Sequence, residues 1–114
     1  MLLALTALPA VASHGDTLFV ETFDDQEAFN KWTTIDCNGG RTWEWLNGHA
    51  AYMLDYQTGL PGDDYLVSPG ITLKGGMVYD LNFSLTMSNN VNLESCRVYL
   101  GSAPDTAHLT TVLG

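Results

Sequence analysis

The chain has 114 residues and carries 4 Lys and Arg against 13 Asp and Glu, a formal net charge of −9. Its cations, Lys31, Arg41, Lys74 and Arg97, are scattered; nucleic acid is therefore not an expected partner, because a phosphate backbone is held by clustered Lys and Arg. Three Trp, five Tyr and eleven Gly beside so little Lys suit a β-rich domain of an exported protein better than a helical cytosolic one.

In chain order, residues 1–12, MLLALTALPAVA, come first. This apolar run closes on Ala10-Val11-Ala12, a small-x-small pattern, and polar Ser13-His14-Gly15-Asp16 follows. The arrangement matches the later part of a secretory signal peptide. It predicts cleavage after Ala12, a mature domain over residues 13–114 and a secreted or cell-surface location. The run is too short to cross a bilayer as a helix, and no later segment is apolar for long enough. Membrane insertion of the mature domain is not expected.

Residues 18–25, LFVETFDD, read as a strand that ends in acid. Alternation puts Phe19, Glu21 and Phe23 on one face. A carboxylate held between two rings that face a core needs a partner, because burying it alone costs several kcal/mol or its charge. Residues 25–32 follow as a short helical turn, with Phe29 and Trp32 on one side and acids at its start, where the helix dipole favours them. A strand is expected at 32–35.

Asn47-Gly48 lies between 42–46 and 49–53 and is the strongest short hairpin signal in the chain. Residues 65–69 add a strand whose Pro69 places its end at an edge or turn. After the turn Lys74-Gly75-Gly76, residues 77–87 alternate, with Met77, Tyr79, Leu81, Phe83, Leu85 and Met87 in step. Residues 94–100 repeat the pattern with Cys96, Val98 and Leu100. Turn signals at short intervals with little helical periodicity predict an all-β sandwich in one domain. The apolar segment at 108–114 breaks off at a glycine, so the domain is expected to be incomplete at its C-terminal end.

The chemistry-bearing residues favour binding over catalysis. There is no G-x-S-x-G nucleophile elbow, and His14, His49 and His108 stand apart from one another. Two carboxylates for glycoside hydrolysis can be picked from any set of thirteen acids and carry little weight. The domain is therefore expected to be non-catalytic. Cys37 and Cys96 permit one disulfide in an oxidising compartment, or two free thiols.

Calcium takes six to eight oxygens from carboxylates, amides and carbonyls. Glu21, Asp24, Asp36 and Asn38 could supply several, and a metal would neutralise Glu21. The same carboxylate could instead be partly exposed or accept hydrogen bonds from loop backbone. Asp63-Asp64 is a second acidic pair, with an ordinary strand-opening turn as the simpler reading. Trp43, Trp45, Tyr52, Tyr56 and Tyr65 could form a sugar-stacking platform, or the tryptophans could fill the core.

The ordered landmarks are Val20-Glu21-Thr22-Phe23-Asp24, Trp32-Thr33-Thr34-Ile35-Asp36 with Asn38-Gly39-Gly40 and Trp43 behind it, and Asp63-Asp64-Tyr65-Leu66-Val67-Ser68-Pro69-Gly70-Ile71-Thr72-Leu73. Tyr79-Asp80-Leu81-Asn82-Phe83 and Glu94-Ser95-Cys96-Arg97-Val98-Tyr99-Leu100-Gly101 complete the set. Together they resemble the choice-of-anchor J and cleaved-adhesin domains of secreted Bacteroidetes proteins, including the haemagglutinin-adhesin domains attached to gingipain proteases. The resemblance implies a jelly-roll β-sandwich, akin to galactose-binding and MAM-type domains, often calcium-stabilised and usually non-catalytic. It implies an adhesion or binding module that recognises extracellular protein or glycan as part of a larger surface or secreted protein. A carbohydrate-binding accessory domain of a secreted hydrolase or peptidase, and a ligand-free structural spacer, stand as alternatives. Family members commonly carry a longer, more acidic loop at 35–43, where this chain has Cys37 and Arg41.

Overall fold

The computed structural model describes residues 16–53, 57, 59, 62–87 and 95–114, together with the backbone of Leu2–Thr6. The chain is β-rich. Its elements are β1 (Leu2–Thr6), α1 (Gln26–Asn30), β2 (Thr33–Ile35), β3 (Glu44–Trp45), β4 (Ala50–Met53), β5 (Tyr65–Val67), β6 (Ser84–Met87), β7 (Tyr99–Leu100) and β8 (Thr111–Val112). Four strands form one sheet in the order β3-β4-β1-β6, while β2 pairs with β5 and β7 with β8. All of these pairings are antiparallel.

The β3–β4 hairpin forms where Asn-Gly predicts it. Asn47 and Gly48 have φ of 49° and 79°, the two positive values that a two-residue turn of the hand matching strand twist requires. Leu46 and His49 close it, with Leu46 N donating to His49 O at 2.9 Å and His49 N to Leu46 O at 3.1 Å. The short helix is also where its sequence puts it. Asp25 is its N-cap, and the Asp25 side chain accepts from Ala28 N at 2.8 Å, a bond typically worth about 1 kcal/mol.

Residues 18–24 depart from expectation. No ladder forms there, because the chain turns at Phe23, whose φ of 56° is left-handed. Phe19, Glu21 and Phe23 therefore do not share a strand face: Phe23 is 1% exposed, whereas Phe19 is an exposed ring. The alternation at 77–87 likewise yields a strand only at Ser84–Met87. Strand period needs a backbone partner as well as a pattern, and β1 meets this segment only opposite Ser84–Met87. Upstream, the Tyr79 hydroxyl accepts from Lys74 N at 2.7 Å and closes the glycine turn.

Among the described residues of 94–100, which begin at 95, only Tyr99–Leu100 is strand, extended by Val98 N donating to Gly114 O at 2.7 Å and Leu113 N to Val98 O at 2.8 Å. Glu94 lies outside the described residues.

The apolar run read as an export leader supplies β1, between β4 and β6. The core of the described residues is small and aromatic. Phe23, Phe29 and Ala50 are buried, and Trp32, Trp43, Trp45 and Leu66 pack against them. Phe23 sits at the centre, its ring centroid 5.0 Å from Trp32 and 6.3 Å from Phe29. This cluster joins the turn at 23, α1, the β3–β4 hairpin and β5, and so holds the loops at 21–25 and 36–43 in place.

Candidate functional site

The turn at 21–25 answers the question that Glu21 raises. Its Oε1 accepts from the backbone N–H groups of Thr22 at 2.9 Å and Phe23 at 2.8 Å. The carboxylate is thus partnered by its own next two residues, and the N–H groups it takes are lost to any strand ladder. Charge-assisted bonds of this kind are stronger than neutral ones. They help hold Phe23 in the left-handed region, which costs a bulky residue about 1–2 kcal/mol. Beside it, the Thr22 hydroxyl donates to Asp24 Oδ2 at 2.8 Å.

Asp36 behaves similarly in its own loop. Its Oδ1 accepts from Asn38 N at 3.1 Å and Gly39 N at 2.7 Å, an Asx-type turn, with Gly39 at φ 74°. Glu21 and Asp24 are therefore neighbours on one turn, and Asp36 and Asn38 on another. Among the described residues, no three of the His, Cys, Asp and Glu side chains are grouped so as to hold a metal ion.

The contact that organises the second loop comes from Asp64. Its Oδ1 accepts from Cys37 N at 3.0 Å, and its carbonyl accepts from the Trp43 indole Nε1 at 3.3 Å. One residue thus ties both ends of the loop at 37–43 to the entry of β5. Nothing in the sequence marks this, because the partners lie 27 and 21 residues apart and no local spacing encodes them. Asp64 Oδ2 is buried without a hydrogen-bond partner among the described residues.

Cys37 and Cys96 are free thiols and exposed. Desolvation, followed by the carboxylates of Asp63, Asp64 and Asp36, pushes the Cys37 thiol above its ordinary pKa. Desolvation alone raises Cys96. Both are held toward the protonated, less nucleophilic form. Arg41 pairs with Glu44, and its guanidinium also reaches Met53 Sδ at 3.3 Å; exposed pairs of this kind contribute at most about 1 kcal/mol.

The aromatic residues divide by role. Trp45 belongs to the interior, its Nε1 donating to Phe23 O at 2.8 Å. Trp43 packs on Tyr52, with centroids 5.6 Å apart and planes tilted by 57°. Gly62 allows Tyr52 to lie close against the backbone, since a Cβ there would fall 2.7 Å from the Tyr52 hydroxyl. Tyr65 faces Tyr99 at 6.0 Å. Tyr56 lies outside the described residues. Hence Trp43 with Tyr52 is what the described structure offers of the expected platform, anchored on one side by Asp64.

No helix among the described residues is long and apolar enough to cross a membrane. No protein-family model, curated protein or solved structure matches the chain.

Proposed function

We propose that the chain is an exported, non-catalytic adhesion or binding module of the choice-of-anchor J type, a jelly-roll sandwich that recognises an extracellular protein or glycan within a larger surface or secreted protein. The observation that carries this reading is the apolar stretch from Ile71 to Met87. Ile71, Leu73, Met77, Val78, Tyr79, Leu81, Phe83, Leu85 and Met87 are all exposed, Val78 at 92% and Met77 and Leu81 at 64%. Soluble chains rarely leave so much large apolar surface uncovered unless it serves an interface. The second reading, a carbohydrate-binding accessory domain, draws on Trp43 against Tyr52, since aromatic faces stack on sugar rings.

Retention of the purified chain on immobilised extracellular-matrix proteins and on a glycan array separates the readings. Under the adhesion reading, Leu81→Asp with Phe83→Asp lowers protein retention at least about tenfold, or about 1.4 kcal/mol, and Trp43→Ala leaves it unchanged. Glycan binding abolished by Trp43→Ala would transfer the proposal to the accessory-domain reading. Retention on neither surface would leave a structural spacer.

Calcium enters the proposal through the resemblance and the chemistry of the donors. A carboxylate offers about four lone-pair sites, so Glu21, Asp24 and Asp36 can serve their own turns and a cation together, with Asn38 adding an amide oxygen. Bound calcium would draw on both turns. The expected result is a higher unfolding midpoint in millimolar calcium than in EDTA, by several degrees at a hundredfold excess over Kd, and loss of that difference in Glu21→Gln. Equal midpoints would remove calcium and leave Glu21 satisfied by Thr22 and Phe23 alone.

A further inference from the structure

We propose that the gap between β4 and β6 is a peptide-binding slot, filled in this chain by its own N-terminal segment and able to accept an extended, uncharged apolar strand from another exported polypeptide. The occupant now seated there specifies the chemistry. Leu2–Thr6 runs antiparallel to both neighbours, with Leu3 opposite Tyr52 and Met87, Ala4 opposite Ala51 and Thr86, and Leu5 opposite Ala50 and Leu85. A strand held on both edges satisfies its whole backbone by ladder bonds, the mode in which extended peptides are recognised through main-chain bonding and alternate side chains.

Three features point to a separable occupant. Among the described residues β1 is the only strand paired with β6, so the sheet order β3-β4-β1-β6 is joined through it alone. The β4 positions opposite Leu5 and Ala4 are the small residues Ala50 and Ala51, both 0% exposed with the strand in place. The segment itself is the part of the chain with the pattern of a cleaved leader. Its removal would open two edges at once, and unpaired edges recruit strands.

The inference rests on the export reading only for how the slot is emptied in the cell. N-terminal sequencing of the secreted product tests export, and the binding experiment does not depend on it.

The test uses the full chain and the variant Ala4→Pro, whose proline removes a ladder donor at the centre of β1. The probe is a fluorescein-labelled peptide of sequence MLLALTAL with a solubilising Lys-Lys tail, and its control carries proline at the fourth position. Ala4→Pro is expected to bind the probe and not the control, and to regain amide protection at 50–53 and 84–87 on binding. The wild-type chain should bind at least about 100-fold more weakly, since its tethered strand competes at an effective concentration of order millimolar.

Equal binding by both chains, or equal binding of probe and control, overturns the slot. So does an Ala4→Pro chain that keeps exchange protection at β2 and β5 and binds nothing. If Ala4→Pro loses that protection as well, Thr6→Pro at the ladder's end is the second variant; unfolding of both shows β1 to be inseparable from the fold and overturns the proposal. A wild-type dimer that exchanges Leu2–Thr6 between copies would overturn the choice of occupant in favour of a second copy.

Discussion

Phe23→Ala is expected to lower stability by about 3–5 kcal/mol, the usual cost of emptying a buried aromatic site, and to drop the unfolding midpoint by more than about 12 °C for a domain of this size. Phe23 is the largest fully buried side chain among the described residues, at 1% exposure. Its ring touches Trp32 and Phe29, and its carbonyl accepts the Trp45 indole. Truncation opens a cavity beneath both tryptophans, so the loss of stability should be accompanied by a red-shifted tryptophan emission. Phe23→Leu, which keeps most of the volume and the same backbone demand, should cost less than half as much. Equal losses for the two variants would assign the effect to the ring contacts with Trp32 and Phe29 and not to the buried volume. A midpoint within about 2 °C of wild type for Phe23→Ala would show that the cluster is not the core, since this is well under the shift of about 4–8 °C expected per kcal/mol.

Gly101→Ala is the second large effect. A Cβ at that position would lie 2.5 Å from His108 O and 3.0 Å from His108 C, inside the closest approach that carbon tolerates and against backbone that cannot swing aside. Relief requires the 101–109 connection to shift, at a cost of about 1–3 kcal/mol. The damage should be local. Amide protection at Val98 and Leu113, which donate to Gly114 O and Val98 O, should fall, while β2 and β5 keep theirs. The Asp105–His108 turn would register it too. Asp105 Oδ1 accepts from His108 N at 3.1 Å and from His108 Nδ1 at 2.6 Å, and the His108 hydrogen bond holds the Asp105 carboxyl below its ordinary pKa. A carboxyl with a lowered folded-state pKa contributes above its unfolded value and loses that contribution as pH falls through the folded one. In Gly101→Ala the Asp105 titration should therefore move back up toward the ordinary value.

The elements that were legible in the sequence are those whose cause is local. Asn47-Gly48 dictates its hairpin because the turn needs two positive φ values that these residues tolerate. Asp25 starts α1 because its side chain reaches an N–H three residues on. Residues 65–67 pair with 33–35 as strands, in keeping with their β-branched and aromatic composition. The candidate site was less legible. Residues 18–24 carry strand-like alternation, yet Glu21 captures the two N–H groups that a ladder would use. The same bond answers the question of its partner without any distant residue.

By itself, then, the sequence determined acidity, β-rich character, the hairpin turn and the short helix, the last two set by interactions spanning four residues or fewer. Only the tertiary structure decided that Phe23 and not Phe19 enters the core, that Asp64 clamps the 37–43 loop, that the alternating stretch 77–87 pairs only from Ser84 onward, and that Leu2–Thr6 lies between β4 and β6. Those outcomes depend on which backbone edges and side chains meet across tens of residues. Such meetings are chosen by the packing of the whole chain, and local pattern carries no record of them.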